Sequence, residues 1–140
     1  MPKPLYLSGP MSHLPAFNYP AFDAAAAALR AAGYSIISPA EFDSPDERAR
    51  ILMCEDGKQW PGAPSWGSYL SRDVRLVADE CEGIVFLPGW DKSRGARLEA
   101  MVGVLCGHKF AIYTGTQTDP PLCYLGTHVI RNILAESLKT

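Results

Sequence analysis

The chain has no apolar run long enough for a membrane. No window of its 140 residues reaches the roughly 18 uninterrupted apolar residues that a spanning helix needs. It also lacks paired cysteines: Cys54, Cys81, Cys106 and Cys123 stand far apart with no C-x-x-C pair, and a disulfide framework is not expected. Cys81 and Cys106 lie among apolar neighbours and read as small core residues. Histidine is scarce, and His13, His108 and His128 have no metal-ligand spacing; no metal is implied, and no organic cofactor is expected either. Charge of one sign is missing as well. With 13 Lys and Arg against 15 Asp and Glu, the formal charge is −2, and no basic stripe marks a nucleic-acid polymer as partner. The opening Met1-Pro2-Lys3-Pro4 runs into a short apolar segment with no cleavage site, so the expected address is reducing cytoplasm.

What is present is an ordinary globular balance, 47% hydrophobic and 20% charged, which excludes a disordered segment and fits one domain over residues 1–140. Strand and helix signals alternate. A short strand over residues 5–7 stops at Ser8-Gly9-Pro10, where glycine and proline end regular structure. An alanine-rich helix is expected over residues 20–32, with Pro20 in its first turn and Gly33 just past its end. A strand at residues 34–38 follows. Residues 40–64 are the least regular stretch, a long connection of the kind that serves as a lid or binding loop. Trp60 and Trp66 flank it, as a lid, a subunit contact or simple anchors. Ser65 caps a helix reaching about residue 80. The continuous apolar run at residues 83–87 reads as a strand covered on both faces. A helix over 93–106, a strand over 110–113 and a last helix over 127–138 complete the order.

This alternation predicts an α/β fold, a flavodoxin-like or Rossmann-like three-layer sandwich around a four- to five-stranded parallel sheet. Ligands of such sheets bind outside the carboxyl ends of the strands. That rule selects three loops: residues 8–18, the segment from Pro39 onward, and residues 88–95.

The third loop carries the most information. Leu87-Pro88-Gly89-Trp90-Asp91-Lys92-Ser93-Arg94-Gly95-Ala96-Arg97-Leu98-Glu99 is a strand end, a tight loop and a helix start. The first turn of a helix offers free N–H groups and the positive end of the dipole, which suits a phosphate. Ser93 adds a hydroxyl, Arg94 a charge-assisted contact, and Gly95 admits a ligand close to the backbone. Glu99 shares the helix face of Gly95 and Ala96. Each residue also has a plainer role. Glu99 is alternatively an exposed glutamate paired with Arg97 or Lys92, and Ser93 a simple N-cap. Asp73, between Arg72 and Arg75, is alternatively half of a surface salt bridge, and Tyr6 a core tyrosine.

Taken together, Tyr6-Leu7-Ser8-Gly9-Pro10-Met11, Ser71-Arg72-Asp73, Gly83-Ile84-Val85-Phe86-Leu87 and Ser93-Arg94-Gly95-Ala96-Arg97-Leu98-Glu99 resemble the nucleoside 2-deoxyribosyltransferase superfamily. The resemblance runs from Tyr6 to Tyr113 and is strongest to a branch common in phages and prophages. It implies that Glu99 attacks C1′ of the sugar, that Asp73 assists proton transfer at the base, and that Tyr6 holds the nucleophile. It further implies a nucleotide or nucleoside as the small-molecule partner, bound by Ser8, Gly9, Ser93, Arg94 and Gly95, and a homodimer or higher homo-oligomer. Transferases of the superfamily complete each pocket with a neighbouring subunit's C-terminal segment, and residues 114–140 carry no counterpart beyond Asn132. The Ser93-Arg94-Gly95 loop is instead similar to that of members hydrolysing nucleoside 5′-monophosphates. Hydrolysis of the N-glycosidic bond is therefore the expected activity; deoxyribosyl exchange between bases and non-catalytic nucleotide binding are the alternatives.

Overall fold

The order of the strands in the sheet decides where a ligand can enter. A computed structural model describes residues 2–139. Five strands, β1 (Leu5–Ser8), β2 (Ile36–Ile37), β3 (Gly83–Phe86), β4 (Lys109–Tyr113) and β5 (Leu122–Leu125), lie in the order β2-β1-β3-β4-β5. The first four are parallel, in the registers Leu5↔Ile36, Tyr6↔Ile84 and Ile84↔Phe110. The strand order reverses between β1 and β3, so the chain leaves these neighbours in opposite directions and opens a crevice above their carboxyl ends.

Five α-helices accompany the sheet: α1 (Tyr19–Ala31), α2 (Pro45–Leu52), α3 (Trp66–Arg75), α4 (Arg94–Leu105) and α5 (Thr127–Ser137). Because successive strand residues face opposite sides, the sheet feeds two apolar clusters. Leu5, Leu7, Val85, Leu87 and Ala111 pack with Tyr19, Phe22, Ala25, Ala26 and Leu29, so α1 covers one face. Tyr6, Ile84, Phe86 and Phe110 pack with Ala96 and Ala100 of α4 and with Ile130 and Leu134 of α5 on the other. The buried alanines of α1 and α4 let both helices lie close to the strands. Each large apolar side chain buried here contributes about 1.5–3 kcal/mol.

Several expectations need correction. The stretch 40–64 contains α2, whose Ser44 hydroxyl accepts from the Glu47 N–H at 3.2 Å and whose first turn holds Pro45, Asp46 and Glu47. This cap was legible, but Ile51 alone is buried from the helix, so no apolar stripe announced it. The sheet is not wholly parallel: β5 runs antiparallel to β4, with Phe110↔Leu125 and Tyr113↔Leu122, joined to it by the turn at residues 114–121. An antiparallel partner needs no crossover helix, and a half-exposed four-residue strand carries little pattern. Cys81 is buried as expected, whereas Cys106 is exposed just past the end of α4. The helix starting after Ser65 does reach residue 80, but as α3 followed by a π-helical turn, Leu76–Glu80. Within that turn the Val77 carbonyl accepts from the His108 Nε2–H at 2.6 Å, fastening it to the start of β4. Among the described residues no helix is long and apolar enough to cross a membrane.

Phe86 marks the centre of the second cluster, stacked on Trp90 with ring centroids 4.0 Å apart and on Phe110 at 5.9 Å. Phe86→Ala is expected to cost about 3–5 kcal/mol. Urea denaturation should show the midpoint falling with an unchanged slope.

Candidate active site

A cavity of about 440 Å³ lies at the switch point, within the size range of small-molecule sites. Its walls come from the loop after β1, the segment 57–63, the pocket-facing side of α3, and the loop and first turns of α4. Of the candidate residues, Tyr6, Gly9, Asp73, Ser93, Arg94, Gly95 and Glu99 all line it.

Glu99 is the centre of this arrangement. It is 6% exposed, which removes the alternative of a solvent-facing salt bridge. Tyr6 and Ser8, two residues apart on β1, point to the same side of the sheet. The Tyr6 hydroxyl donates to Glu99 Oε2 at 2.7 Å and the Ser8 hydroxyl to Oε1 at 2.7 Å. Ser8 is itself buried and bonds Glu99 from within the protein. Burial, and next the charge of Asp73, raise the Glu99 carboxyl to about 8, against the two hydroxyl bonds, which favour the ionised form. Burial also pushes the Tyr6 phenol well above its ordinary value, with Glu99 adding to the effect, so Tyr6 stays a donor.

Asp73 is the second buried carboxylate, its side chain 11% exposed. Burial raises it to about 6, and the adjacent Arg72 guanidinium opposes the rise. Arg72 Nε donates to Asp73 Oδ1 at 2.9 Å, so the salt-bridge role of Asp73 is real, yet the bridge lies in the pocket wall and joins Asp73 to Arg72.

At the start of α4, Ser93 is the N-cap, accepting from the Ala96 N–H at 3.2 Å. The Arg94 and Gly95 N–H groups remain at the helix end without intrahelical acceptors. A Cβ added to Gly95 would meet nothing within 4 Å, so the backbone there faces open space. The Arg94 guanidinium rests over the ring of Trp66, another residue of the cavity lining, 4.9 Å from its centroid. Trp60 also lines the cavity, packed edge-on against Phe17 at 6.5 Å with Arg50 over its ring.

The loop after β1 is strained. His13, Ala16, Phe17 and Asn18 all have positive φ, between 50° and 67°, in the region L side chains avoid. Bonds to the segment below hold it: His13 N–H to the Gly57 carbonyl at 2.9 Å and Ala16 N–H to the Cys54 carbonyl at 2.6 Å. Gly57 itself needs its φ of +65°, and any Cβ there would stand 2.3 Å from the Leu14 nitrogen.

Sequence reasoning missed the group behind Asp73. Arg72 reaches Asp43 at 2.9 Å, and the Tyr19 hydroxyl donates to the same carboxylate. Tyr19, Asp43 and Arg72 lie on three separate segments, and no local spacing signals their meeting.

Residues 3–111 match the model of the family described as Domain of unknown function (DUF4406), and the chain belongs to that family. No curated protein and no solved structure matches the chain.

The raised carboxyls make stability depend on pH. Glu99 binds its proton more tightly in the folded state than in the unfolded chain, so stability is greatest below the ordinary value of 4.5 and declines as pH rises towards about 8. Asp73 contributes the same sign between 3.8 and about 6. Thermal melts across this range should fall with pH, and Glu99→Gln should flatten the upper part of the decline.

Proposed function

We propose that this member of the DUF4406 family hydrolyses the N-glycosidic bond of a nucleoside 5′-monophosphate, with Glu99 as nucleophile and Asp73 as general acid. The observation that carries the reading is the buried Glu99 carboxylate. Each of its oxygens accepts a hydroxyl from β1, and it lies in one cavity with Asp73 and the start of α4. A carboxylate removed from water and fixed by two donors is costly to maintain and has no structural partner charge of its own. The motifs around it resemble the nucleoside 2-deoxyribosyltransferase superfamily, and apolar clusters on both faces of the sheet support the three-layer, flavodoxin-like arrangement that this resemblance implies.

In the first step Glu99 attacks C1′ and the C–N bond breaks. Its electron pair leaves with the base, which takes the Asp73 proton. In the second, water attacks C1′ of the glycosyl-enzyme, the Asp73 carboxylate accepts a proton from that water, and Glu99 is released. The products are free base and sugar phosphate. Two carboxyls in these roles parallel the retaining glycosidases. The free N–H groups of Arg94 and Gly95, with Arg94 itself, supply donors for the phosphate.

The working form carries one proton on the carboxyl pair. In the empty pocket burial favours that proton on Glu99; positive charge developing on the sugar beside Glu99 reverses the preference and leaves Asp73 as the donor. The rate should therefore follow a bell, with flanks near about 6 and about 8 that belong to the pair.

The test is to incubate the protein with ribo- and deoxyribonucleoside 5′-monophosphates and the matching nucleosides, without acceptor base, and follow free base by chromatography. Release from monophosphates, abolished in Glu99→Ala and reduced about 10²–10⁴-fold in Asp73→Asn, is the expected result. Release only after an acceptor base is added would replace hydrolysis with exchange. Tight nucleotide binding without release under either condition would overturn both.

A further inference from the structure

One cation in the pocket wall has every nitrogen committed. Arg72 donates through Nε to Asp73 Oδ1 at 2.9 Å, through Nη1 to Asp43 Oδ1 at 2.9 Å, and through Nη2 to the Pro39 carbonyl at 3.1 Å. The rings of Tyr69 and Phe42 lie 5.4 and 6.0 Å from its guanidinium carbon. Asp43 is held in turn: its side chain is 0% exposed, and its Oδ2 accepts from the Tyr19 hydroxyl. Burial alone would lower the proton affinity of Arg72, but Asp73 and Asp43 outweigh it and hold the guanidinium charged. An arginine so fixed is a poor ligand for an incoming anion, because swinging out would leave Asp43 buried and unpaired.

Its effect falls on Asp73. With Oδ1 taken by Arg72, the other oxygen, Oδ2, accepts no hydrogen bond among the described residues, and the side chain, 11% exposed, lines the cavity. Glu99 differs, both of its oxygens being engaged.

We propose that Arg72 and Asp43 are positioning residues for Asp73: the locked guanidinium holds Oδ1 and presents Oδ2 to the pocket, while Asp43 offsets part of the Arg72 charge so that Asp73 is able to take up the proton it donates. This rests on the role given to Asp73 above. The groups bearing on Asp73 are Arg72 beside it, Asp43 from the segment after β2, Glu99 from α4 and Tyr6 from β1, with Tyr19 and Tyr69 behind Asp43. Of the charges nearest to Asp73, Arg72 favours its anion and Asp43 favours its neutral form. The two residues act on it with opposite sign.

That opposition gives the test. Carbon-13 NMR of the side-chain carboxyls follows the titration of Asp73 in the full chain without substrate. Asp43→Asn should move the titration to lower pH and Arg72→Gln to higher pH. Shifts in the same direction, or none, would overturn the proposal, since loosening of the fold moves both alike. Where Arg72→Gln does not fold, Arg72→Lys keeps the charge but not the three-way fork. It should leave the titration near the wild-type position while lowering kcat for base release at least about tenfold with KM little changed. An unchanged kcat would overturn the positioning role. The titration decides the electrostatic part even if no nucleotide is hydrolysed, so failure of the proposed activity is told apart from failure of this inference.

Discussion

A carboxylate held away from water by two hydroxyls of one strand is the constraint around which this structure is arranged. Glu99 lies on α4, while Tyr6 and Ser8 sit two positions apart on β1. The alternation of strand side chains alone puts both on the α4 side of the sheet. For the bonds to form, α4 has to cross directly over the carboxyl end of β1, which requires β1 and β3 to be neighbours with α4 following β3. The strand order supplies this. Small side chains on α4, Ala96 and Ala100, allow the approach. Topology, packing and the polar centre are thus one requirement seen at three scales.

The second carboxylate reaches the cavity by a different route. Asp73 lies on α3, and its setting depends on an ion-pair chain through Arg72 and Asp43 to Tyr19 on α1. Glu99 is bound by neutral hydroxyls and Asp73 by a cation, while the charges of Asp73 and Arg72 still act on Glu99. Burial raises both carboxyls, Glu99 further than Asp73, so the two hold their protons with unequal strength within one small volume.

Much of this was legible in the sequence because it is local. The alanine run of α1, the cap at Ser93 and the apolar strand at residues 83–86 follow from propensity, capping and burial on both faces. Tyr6, Asp73 and Glu99 could be nominated from their places beside strand ends and from the resemblance of their motifs. What escaped was either weakly patterned or non-local. Helix α2 is capped clearly but buries little; β5 is too short to announce itself. The Tyr19–Asp43–Arg72 group cannot be inferred without knowing that α1, the segment after β2 and α3 converge. Cys106 misled for a simpler reason: apolar neighbours in sequence do not imply an inward-facing position at the end of a helix.

The hydroxyl bonds to Glu99 also bear on how the chain acquires its site. They join residues 93 and 91 positions apart. The chain that closes between them includes α1, β2, α3 and β3, and the entropic cost of such closure is met only once those elements have docked. No hairpin, helix pair or other local fragment can contain the completed centre. Without the β1–β3 pairing Glu99 lacks both donors, and there it is an ordinary hydrated glutamate. The chemical character of Glu99 is therefore a property of the assembled sheet and is not inherited from its helix.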